Sequence, residues 1–348
     1  MTLLRHLAVA IIVGALLAVA SVTLNSFRDF QMAEVATYVT AVAGLTILIG
    51  LSGQISIGHG AFMAIGAYAA ALILMHLNWP LVAVLAASAA IAAVAGLVLG
   101  VAAARLRGPY LAGITLLLAV ALPSLATRFA GTFGGDQGLG VNVTTPAFLG
   151  SSFPLTRWQA WVACAAALIT LVLLANLARS RVGRSWRAVR DDETAAALAG
   201  LNVAWLRILA FAVSAACAGL AGALLGITTT LVSPGSFTVT LSIALLTGAV
   251  LGGLGTLPGA VWGSLVIVLV PTYVTDVATS HGLSSSVAAN IPVAAYGVVL
   301  IVVMLVFPAG IQGAVRRLLG PAAPSAGGPI GSLRRRVPAR DNPEEGAS

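Results

Sequence analysis

Long apolar segments follow one another along almost the whole chain, and only short polar stretches separate them. A helix needs about 20 mostly apolar residues to cross the hydrocarbon core of a bilayer. Charged residues make up only 8% of the chain, whereas a soluble domain carries about 25% and could not cover its surface with so few. We therefore predict an all-α, polytopic integral membrane protein with about ten transmembrane helices. The predicted spans are residues 7–24, 33–51, 61–77, 81–104, 110–127, 158–178, 205–228, 237–254, 257–274 and 288–307.

The arginines orient these spans. All 18 basic residues of the chain are arginines, and the densest group lies between the sixth and seventh spans. When that group is placed in the cytoplasm, counting spans in both directions leaves only Arg28, Arg128 and Arg157 on the outer side, as the positive-inside rule requires. We expect both termini to be cytoplasmic. Residues 1–20 have a second interpretation as a cleaved signal peptide, although the apolar run continues to Leu24 and favours a retained span.

Composition excludes several classes of function. The chain has no lysine, so it has neither a P-loop ATP site nor a Schiff-base enzyme site. Its arginines are scattered between the spans, which argues against a nucleic-acid partner. Cys164 and Cys217 lie inside apolar segments and are interpreted as packing residues. We expect no metal site and no catalytic residue, and therefore no enzyme.

The charged segment of residues 180–202 is longer and denser in charge than an ordinary loop between spans. Three acidic residues precede an alanine-rich run from Thr194, which favours a short helix that Gly200 can terminate. Small side chains along that helix allow it to pack closely against another surface. The alternative is a surface loop whose arginines only set the membrane orientation.

A second polar segment, residues 50–60, interrupts the apolar sequence between the second and third spans. Its four glycines disfavour an unbroken helix, and a broken helix at membrane depth is tolerated only when protein or a water-filled cavity covers it. A re-entrant segment that guides a small polar solute and a tight cytoplasmic turn both remain open. For His59 we favour a hydrogen-bonded packing role over a metal or proton-relay role.

Two further regions are polar. The outer loop of residues 130–157 is rich in glycine, so it turns tightly and exposes backbone amides. Residues 321–348 are rich in Pro, Gly, Ser and Arg and are expected to form a disordered cytoplasmic tail beyond a permease domain of residues 1–320. We expect the tail arginines, Arg334 to Arg336, to meet anionic lipid headgroups.

Five sequence blocks, in this order, resemble the LivM-type permease subunits of branched-chain amino acid ABC importers. The blocks are residues 50–72 (GLSGQISIGHGAFMAIGAYAAAL), 107–119 (RGPYLAGITLLLA), 133–140 (FGGDQGLG), 183–203 (GRSWRAVRDDETAAALAGLNV) and 252–263 (GGLGTLPGAVWG). The resemblance runs from about Thr37 to Pro308 and implies a multi-pass protein of the bacterial cytoplasmic membrane. Ala195, Ala196 and Gly200 match the spacing of the coupling element of such importers, and Thr194 stands at its acidic position.

The resemblance also implies partners. They are a second, LivH-like permease chain, two ATP-binding subunits that hold ATP and Mg²⁺, and an external solute-binding protein, so that this chain itself needs no cofactor. The expected contacts with the ATPase are Arg184, Arg187, Arg190, Asp191, Asp192, Glu193, Thr194, Ala195, Ala196 and Gly200. The expected substrate path includes Gly53, Gln54, Ser56, Gly58, His59 and Gly60. The expected periplasmic loop includes Gly135, Asp136 and Gln137.

These implications favour a permease that moves branched-chain or related amino acids inward by alternating access. The alternative is a self-sufficient secondary transporter or channel for a small polar solute such as urea or a short amide. Transport by the chain alone, driven by an ion gradient, would identify the alternative. The solute itself is not readable from this chain, because selectivity in such importers resides largely in the binding protein.

Overall fold

The computed structural model describes residues 2–319 apart from 78, 107–108, 147–149, 151–152, 281–290, 292–293, 295–296, 299–300, 304 and 308–309. Almost all of the described chain is helical. The helices are α1 (Thr2–Thr23), α2 (Ser26–Ser52), α3 (His59–His76), α4 (Leu81–Arg105), α5 (Pro109–Arg128), α6 (Ala130–Phe133), α7 (Leu155–Arg179), α8 (Arg181–Asp191), α9 (Glu193–Leu198), α10 (Val203–Thr229), α11 (Val239–Gly252), α12 (Leu257–Ser280) and α13 (Gly310–Leu319).

Eight of the described helices are long and apolar enough to cross a membrane: α2 to α5, α7, α10, α11 together with the turn before it, and α12. The apolar part of α1, Leu7–Thr23, is shorter. The prediction of an all-helical, polytopic membrane protein is therefore confirmed. The tenth predicted span lies mostly outside the described residues, and the predicted tail of residues 321–348 lies outside them entirely.

Successive spans run in opposite directions, so their connections gather at two ends of the bundle. The end that we call the basic end carries Ser52, Arg105, Arg179, Gly252 and α13, and residues 180–202 lie there. The other end, which we call the opposite end, carries Asn25, His76, Arg128 and Thr229. Arginine is concentrated at the basic end, where α8 alone contains four.

The centre of the bundle consists of α2 and α10. In the most apolar stretch of each helix, 83% of the residues of α2 and 72% of those of α10 are buried. Glycine brings the helix backbones close together at this centre. A Cβ atom at Gly222 would collide with the backbone of Met63 on α3, and one at Gly44 would collide with Cys217 on α10. Lipid supplies no hydrophobic drive for helix association, so close packing through small residues stabilises the bundle instead.

A small antiparallel sheet is the only strand structure in the described part of the chain. It joins β1 (Leu139–Gly140) to β2 (Leu231–Val232) at the opposite end, with Leu139 facing Val232. A further bond, from the Val141 N–H to the Thr230 carbonyl at 2.9 Å, extends the pairing. The sequence does not predict this pairing, because each strand has only two residues and the strands are far apart in the chain.

Candidate functional site

Helix α8 begins directly after α7 and is amphipathic. The Ser180 side chain caps its first turn by accepting a bond from the Gly183 N–H at 3.4 Å. Trp186 is fully buried, and its Nε1–H donates to the Leu206 carbonyl of α10 at 2.8 Å. Because a buried indole N–H needs an acceptor, this bond fixes α8 against the start of α10.

Helix α9 is the short helix that the sequence predicts. The Asp192 side chain caps it by accepting from the Ala195 N–H at 2.9 Å. Gly200 has a φ of 84°, and the Leu201 N–H donates to the Ala196 carbonyl at 3.1 Å, so the helix ends in a left-handed glycine cap as expected. The helix starts at Glu193, one residue before the predicted start.

The two faces of α9 differ in exposure. Ala196 is 4% exposed and faces the bundle, although the sequence groups it with the contacts to a partner. Thr194, Ala195 and Gly200 are exposed. Leu198 is 85% exposed, which its place in an apolar and alanine-rich run does not indicate. Leu198 thus adds an accessible apolar side chain to the exposed face of α9.

The charged side chains of residues 180–202 form a network rather than a uniform basic surface. Arg184 and Arg187 donate to carbonyls at the end of α7, those of Arg179 at 3.0 Å and Ala178 at 3.1 Å. Arg190 instead donates to the Gly50 carbonyl of α2 and pairs with Asp191 at 2.7 Å. Glu193 pairs with Arg207 of α10 at 2.8 Å.

The second polar segment, residues 50–60, contains the end of α2 at Ser52. Gly53 adopts a φ of 71° and donates its N–H to the Ile49 carbonyl at 3.1 Å, while the Gln54 N–H donates to the Leu48 carbonyl at 3.3 Å. This glycine cap ends the helix. Residues 53–58, which we call the re-entrant segment, are not helical, and α3 begins at His59.

The contact of His59 shows how far the re-entrant segment extends back into the bundle. His59 is buried, and its Nε2 atom lies 3.0 Å from the carbonyl oxygen of Ala41. Ala41 precedes Ser52 by three helical turns, which corresponds to ~16 Å along α2. The chain therefore returns into the bundle before α3 begins, as the re-entrant interpretation predicts and a tight turn at the helix end would not. His59 is thus buried and within hydrogen-bond distance of the backbone, as a packing residue would be.

Several polar groups in and beside the re-entrant segment bond to other helices. The Ile57 N–H donates to Thr115 Oγ1 of α5 at 3.0 Å, and the Gly60 N–H donates to Ser242 Oγ of α11 at 3.0 Å. The Gln54 side-chain amide donates to the Arg207 carbonyl at 3.3 Å. Thr115 and Ser242 were not identified from the sequence, although an isolated hydroxyl in an apolar span is a usable signal.

Residues of the re-entrant segment alternate in exposure. Gln54, Ser56 and Gly58 are buried, whereas Gly53 is exposed and Ile55 is 50% exposed. The Ser56 hydroxyl accepts a bond from the Gly58 N–H at 3.4 Å. One side of this non-helical backbone thus packs into the bundle, and the other side is left open.

The glycine-rich loop forms a cap on the opposite end. Helix α6 leads into a 3-10 turn at Gly135–Gln137 and then into β1. Gly135 is buried, whereas Asp136 and Gln137 are exposed. Strand β2 continues into a second 3-10 turn, Pro234–Phe237, which precedes α11. The β1–β2 pairing therefore joins the two turns into one unit.

Two rings from this cap enclose Tyr68 of α3. Phe133 packs edge-on against it with ring centroids 5.2 Å apart, and Phe237 lies at 6.5 Å. Tyr68 is 4% exposed, and its hydroxyl has no hydrogen-bond partner among the described residues. We call these three side chains the aromatic cluster. Tyr68 itself lies on α3, the helix that follows the re-entrant segment.

In the described part of the chain, no three His, Cys, Asp or Glu side chains lie close enough together to hold a metal ion. The buried cysteines, Cys164 and Cys217, are not disulfide-bonded.

Comparisons with known proteins agree on one family. Residues 28–308 match the family described as "Branched-chain amino acid transport system / permease component". The chain is 32% identical over 255 residues to the high-affinity branched-chain amino acid transport system permease protein LivM of Escherichia coli. The aligned region is 67% of this chain and 60% of LivM. The aligned part of the chain thus spans less than two thirds of that relative's length.

Two further relatives align over more of their length. The permease protein LivH of Escherichia coli is 29% identical over 295 residues, which is 80% of this chain and 91% of LivH. The permease protein BraD of Pseudomonas aeruginosa is 29% identical over 296 residues, which is 80% of this chain and 92% of BraD. No solved structure matches the chain.

Proposed function

Because the chain belongs to the family of permease components of branched-chain amino acid transport systems, we propose that it forms one half of an ATP-driven importer. Its substrates are branched-chain or related amino acids, which it moves into the cytoplasm by alternating access. As a permease component it does not hydrolyse ATP itself. ATP and Mg²⁺ bind to two separate subunits, a LivH-like chain is the second permease, and an external binding protein delivers the solute.

The observation that carries this proposal is the direct contact between the two polar segments. Residues 180–202 and residues 50–60 are distant in sequence, yet Arg190 donates to the Gly50 carbonyl. Gln54 in turn donates to the carbonyl of Arg207, whose side chain pairs with Glu193. A surface helix joined to a break in a membrane helix is the arrangement that an externally powered permease needs.

The basic end is the cytoplasmic end in this proposal. Its arginines, which include those of α8, satisfy the positive-inside rule. Helix α9 then presents Thr194, Ala195, Leu198 and Gly200 to the ATP-binding subunit. The buried Ala196 supports the helix from behind and makes no contact with the partner.

The substrate path runs along the open side of the re-entrant segment. Non-helical backbone is not stable against lipid, so the side that carries Gly53 and Ile55 must face water or the second permease. Buried hydroxyls of Ser56, Thr115 and Ser242 lie beside this backbone. These hydroxyls hold the backbone from the bundle side, so its open side is left to line the passage of an amino acid between the two permease chains.

The cap on the opposite end is the periplasmic docking surface in this proposal. Asp136 and Gln137 are exposed on it and face the binding protein. The aromatic cluster closes the outer end of the path beneath. Because β1 and β2 are paired, a displacement of the cap by the binding protein moves Phe133 and Phe237 away from Tyr68 together.

Reconstitution of the complete complex tests the proposal. The chain, the second permease, the two ATPase chains and the binding protein are placed in liposomes, and uptake of labelled leucine is measured with ATP inside the vesicles. We expect uptake that requires both ATP and the binding protein. Competition by isoleucine, valine, urea and short amides then identifies the solute class. Uptake by the chain alone under an ion gradient would contradict the proposal.

A further inference from the structure

Arg190 differs from the other arginines of α8 in the element that it reaches. Arg184 and Arg187 both bond to the last turn of α7, the helix that directly precedes α8. Arg190 crosses to α2 and donates to the Gly50 carbonyl. Of these three side chains, only Arg190 connects residues 180–202 to a membrane span distant in sequence.

The Gly50 carbonyl belongs to the last turn of α2. The last four carbonyls of a helix lack partners within the helix. The caps described above satisfy the Leu48 and Ile49 carbonyls, and Arg190 satisfies that of Gly50. A positive charge at a helix C-terminus also interacts favourably with the helix dipole.

The stem of Arg190 makes a second contact, with Gly53. A Cβ atom at Gly53 would lie only 2.8 Å from Arg190 Cγ. Gly53 is the first residue of the re-entrant segment and already has a φ of 71°. Arg190 therefore holds the point where the chain leaves α2, with its guanidinium on one side and its stem on the other.

Arg190 is also connected to α9, through the backbone of the residues that follow it. Asp192, two residues later, caps α9. Its neighbour Glu193 bonds to Arg207, and the Arg207 carbonyl accepts from Gln54. Any displacement of α9 thus reaches the re-entrant segment by two short routes, of which the Arg190 route is the more direct.

We propose that Arg190 is a positioning residue that transmits the movement of α9 to the re-entrant segment during transport. This inference rests on the proposed function. The bond between Arg190 and Asp191 does not account for the position of Arg190, because Asp191 is 65% exposed and pairs of exposed charges contribute little. The contacts with Gly50 and Gly53 are the ones that a substitution must alter.

The test compares transport with ATP hydrolysis in the complete reconstituted complex. Arg190→Ala is expected to assemble with the ATPase chains and to keep its ATP hydrolysis. The amount of labelled leucine transported per ATP should fall by about fivefold or more, a loss appropriate to a charge-assisted hydrogen bond that is partly exposed. Arg190→Lys keeps a charged donor and a shorter reach, and should restore part of the loss.

Arg181→Ala is the matched control, because it removes an exposed arginine from the same helix at a position outside the expected ATPase contacts. It should leave the transport-to-ATP ratio unchanged. An unchanged ratio in Arg190→Ala, or an equal fall in Arg181→Ala, would overturn the inference. If neither Arg190 variant assembles, the residue has a purely structural role, and the inference is also wrong. Absence of ATP-dependent uptake in the unmodified complex would instead refute the proposed function.

Discussion

The Nε2 atom of His59 lies 3.0 Å from the carbonyl oxygen of Ala41, even though α2 continues from Ala41 for three more turns. The first residue of α3 is thus anchored beside the middle of α2. Residues 53–58 must cover the intervening distance as non-helical chain. This geometry explains why the segment is rich in glycine and in small polar side chains, and it exposes one side of the backbone to whatever lies next to the subunit.

Gly60→Ala should destabilise the protein and reduce transport. The new Cβ would lie 2.6 Å from Ser242 Oγ, which accepts the Gly60 N–H. Overpacking of this kind costs about 1–3 kcal/mol. Gly113→Ala on α5 is the control, because nothing lies within 4 Å of the added methyl group. Thermal unfolding in detergent measures both, and equal melting temperatures would argue against the close contact.

Leu198→Ser should weaken binding of the ATPase chains without affecting folding. The side chain is 85% exposed in the free chain, and full burial of a leucine at an interface contributes about 1.5–3 kcal/mol. The dissociation constant should therefore rise by about tenfold or more. Leu318→Ser, on α13 at the same end and 84% exposed, is the matched control. A pull-down with the purified ATPase chains compares the binding of the two variants. Equal binding by Leu198→Ser and Leu318→Ser would show that α9 is not the docking helix.

Phe133→Ala should weaken closure of the outer path. Edge-to-face ring pairs such as that with Tyr68 contribute about 0.5–1.5 kcal/mol beyond their buried area. We expect ATP hydrolysis by the complex to become less dependent on the binding protein. Phe129→Ala, an exposed ring one turn away on the same cap, serves as the control. If both variants retain full dependence on the binding protein, the aromatic cluster is not the outer gate.

Arg157→Ala should lower stability, because Arg157 is the ion-pair partner of a buried carboxylate. Its Nε lies 3.4 Å from Asp29 Oδ2, and the Asp29 side chain is only 1% exposed. Removing one partner of a buried pair costs on the order of 3 kcal/mol. Arg128→Ala removes an exposed arginine from the same end of the bundle and should have little effect. Asp29→Asn combined with Arg157→Ala should recover part of the loss in a thermal unfolding measurement.

The Asp29 pair also explains one of the three arginines that the orientation rule leaves on the outer side. Arg157 pairs with a carboxylate inside the bundle, which gives it a structural role at the opposite end whatever the membrane orientation. The sequence shows both residues at predicted outer ends. Nothing in it indicates that α2 and α7 bring them together.

The linear sequence was sufficient for properties that arise from local composition. The spans follow from runs of apolar residues, and the ends of α2 and α9 follow from Gly53 and Gly200. Each of these depends on residues within a few turns of one another. Short-range physical rules therefore recover them.

Which polar groups meet is a different matter, because it depends on how distant helices pack. Arg190 reaches Gly50, Gly60 meets Ser242, and Phe133 meets Tyr68 only after α2, α3, α10 and α11 have assembled through their small residues. The same packing turns Ala196 inward and leaves Leu198 in solvent, although a six-residue alanine-rich helix has no apolar face to reveal that choice beforehand. Contacts between elements far apart in the chain are set by the bundle as a whole, and so they were decided in the folded molecule.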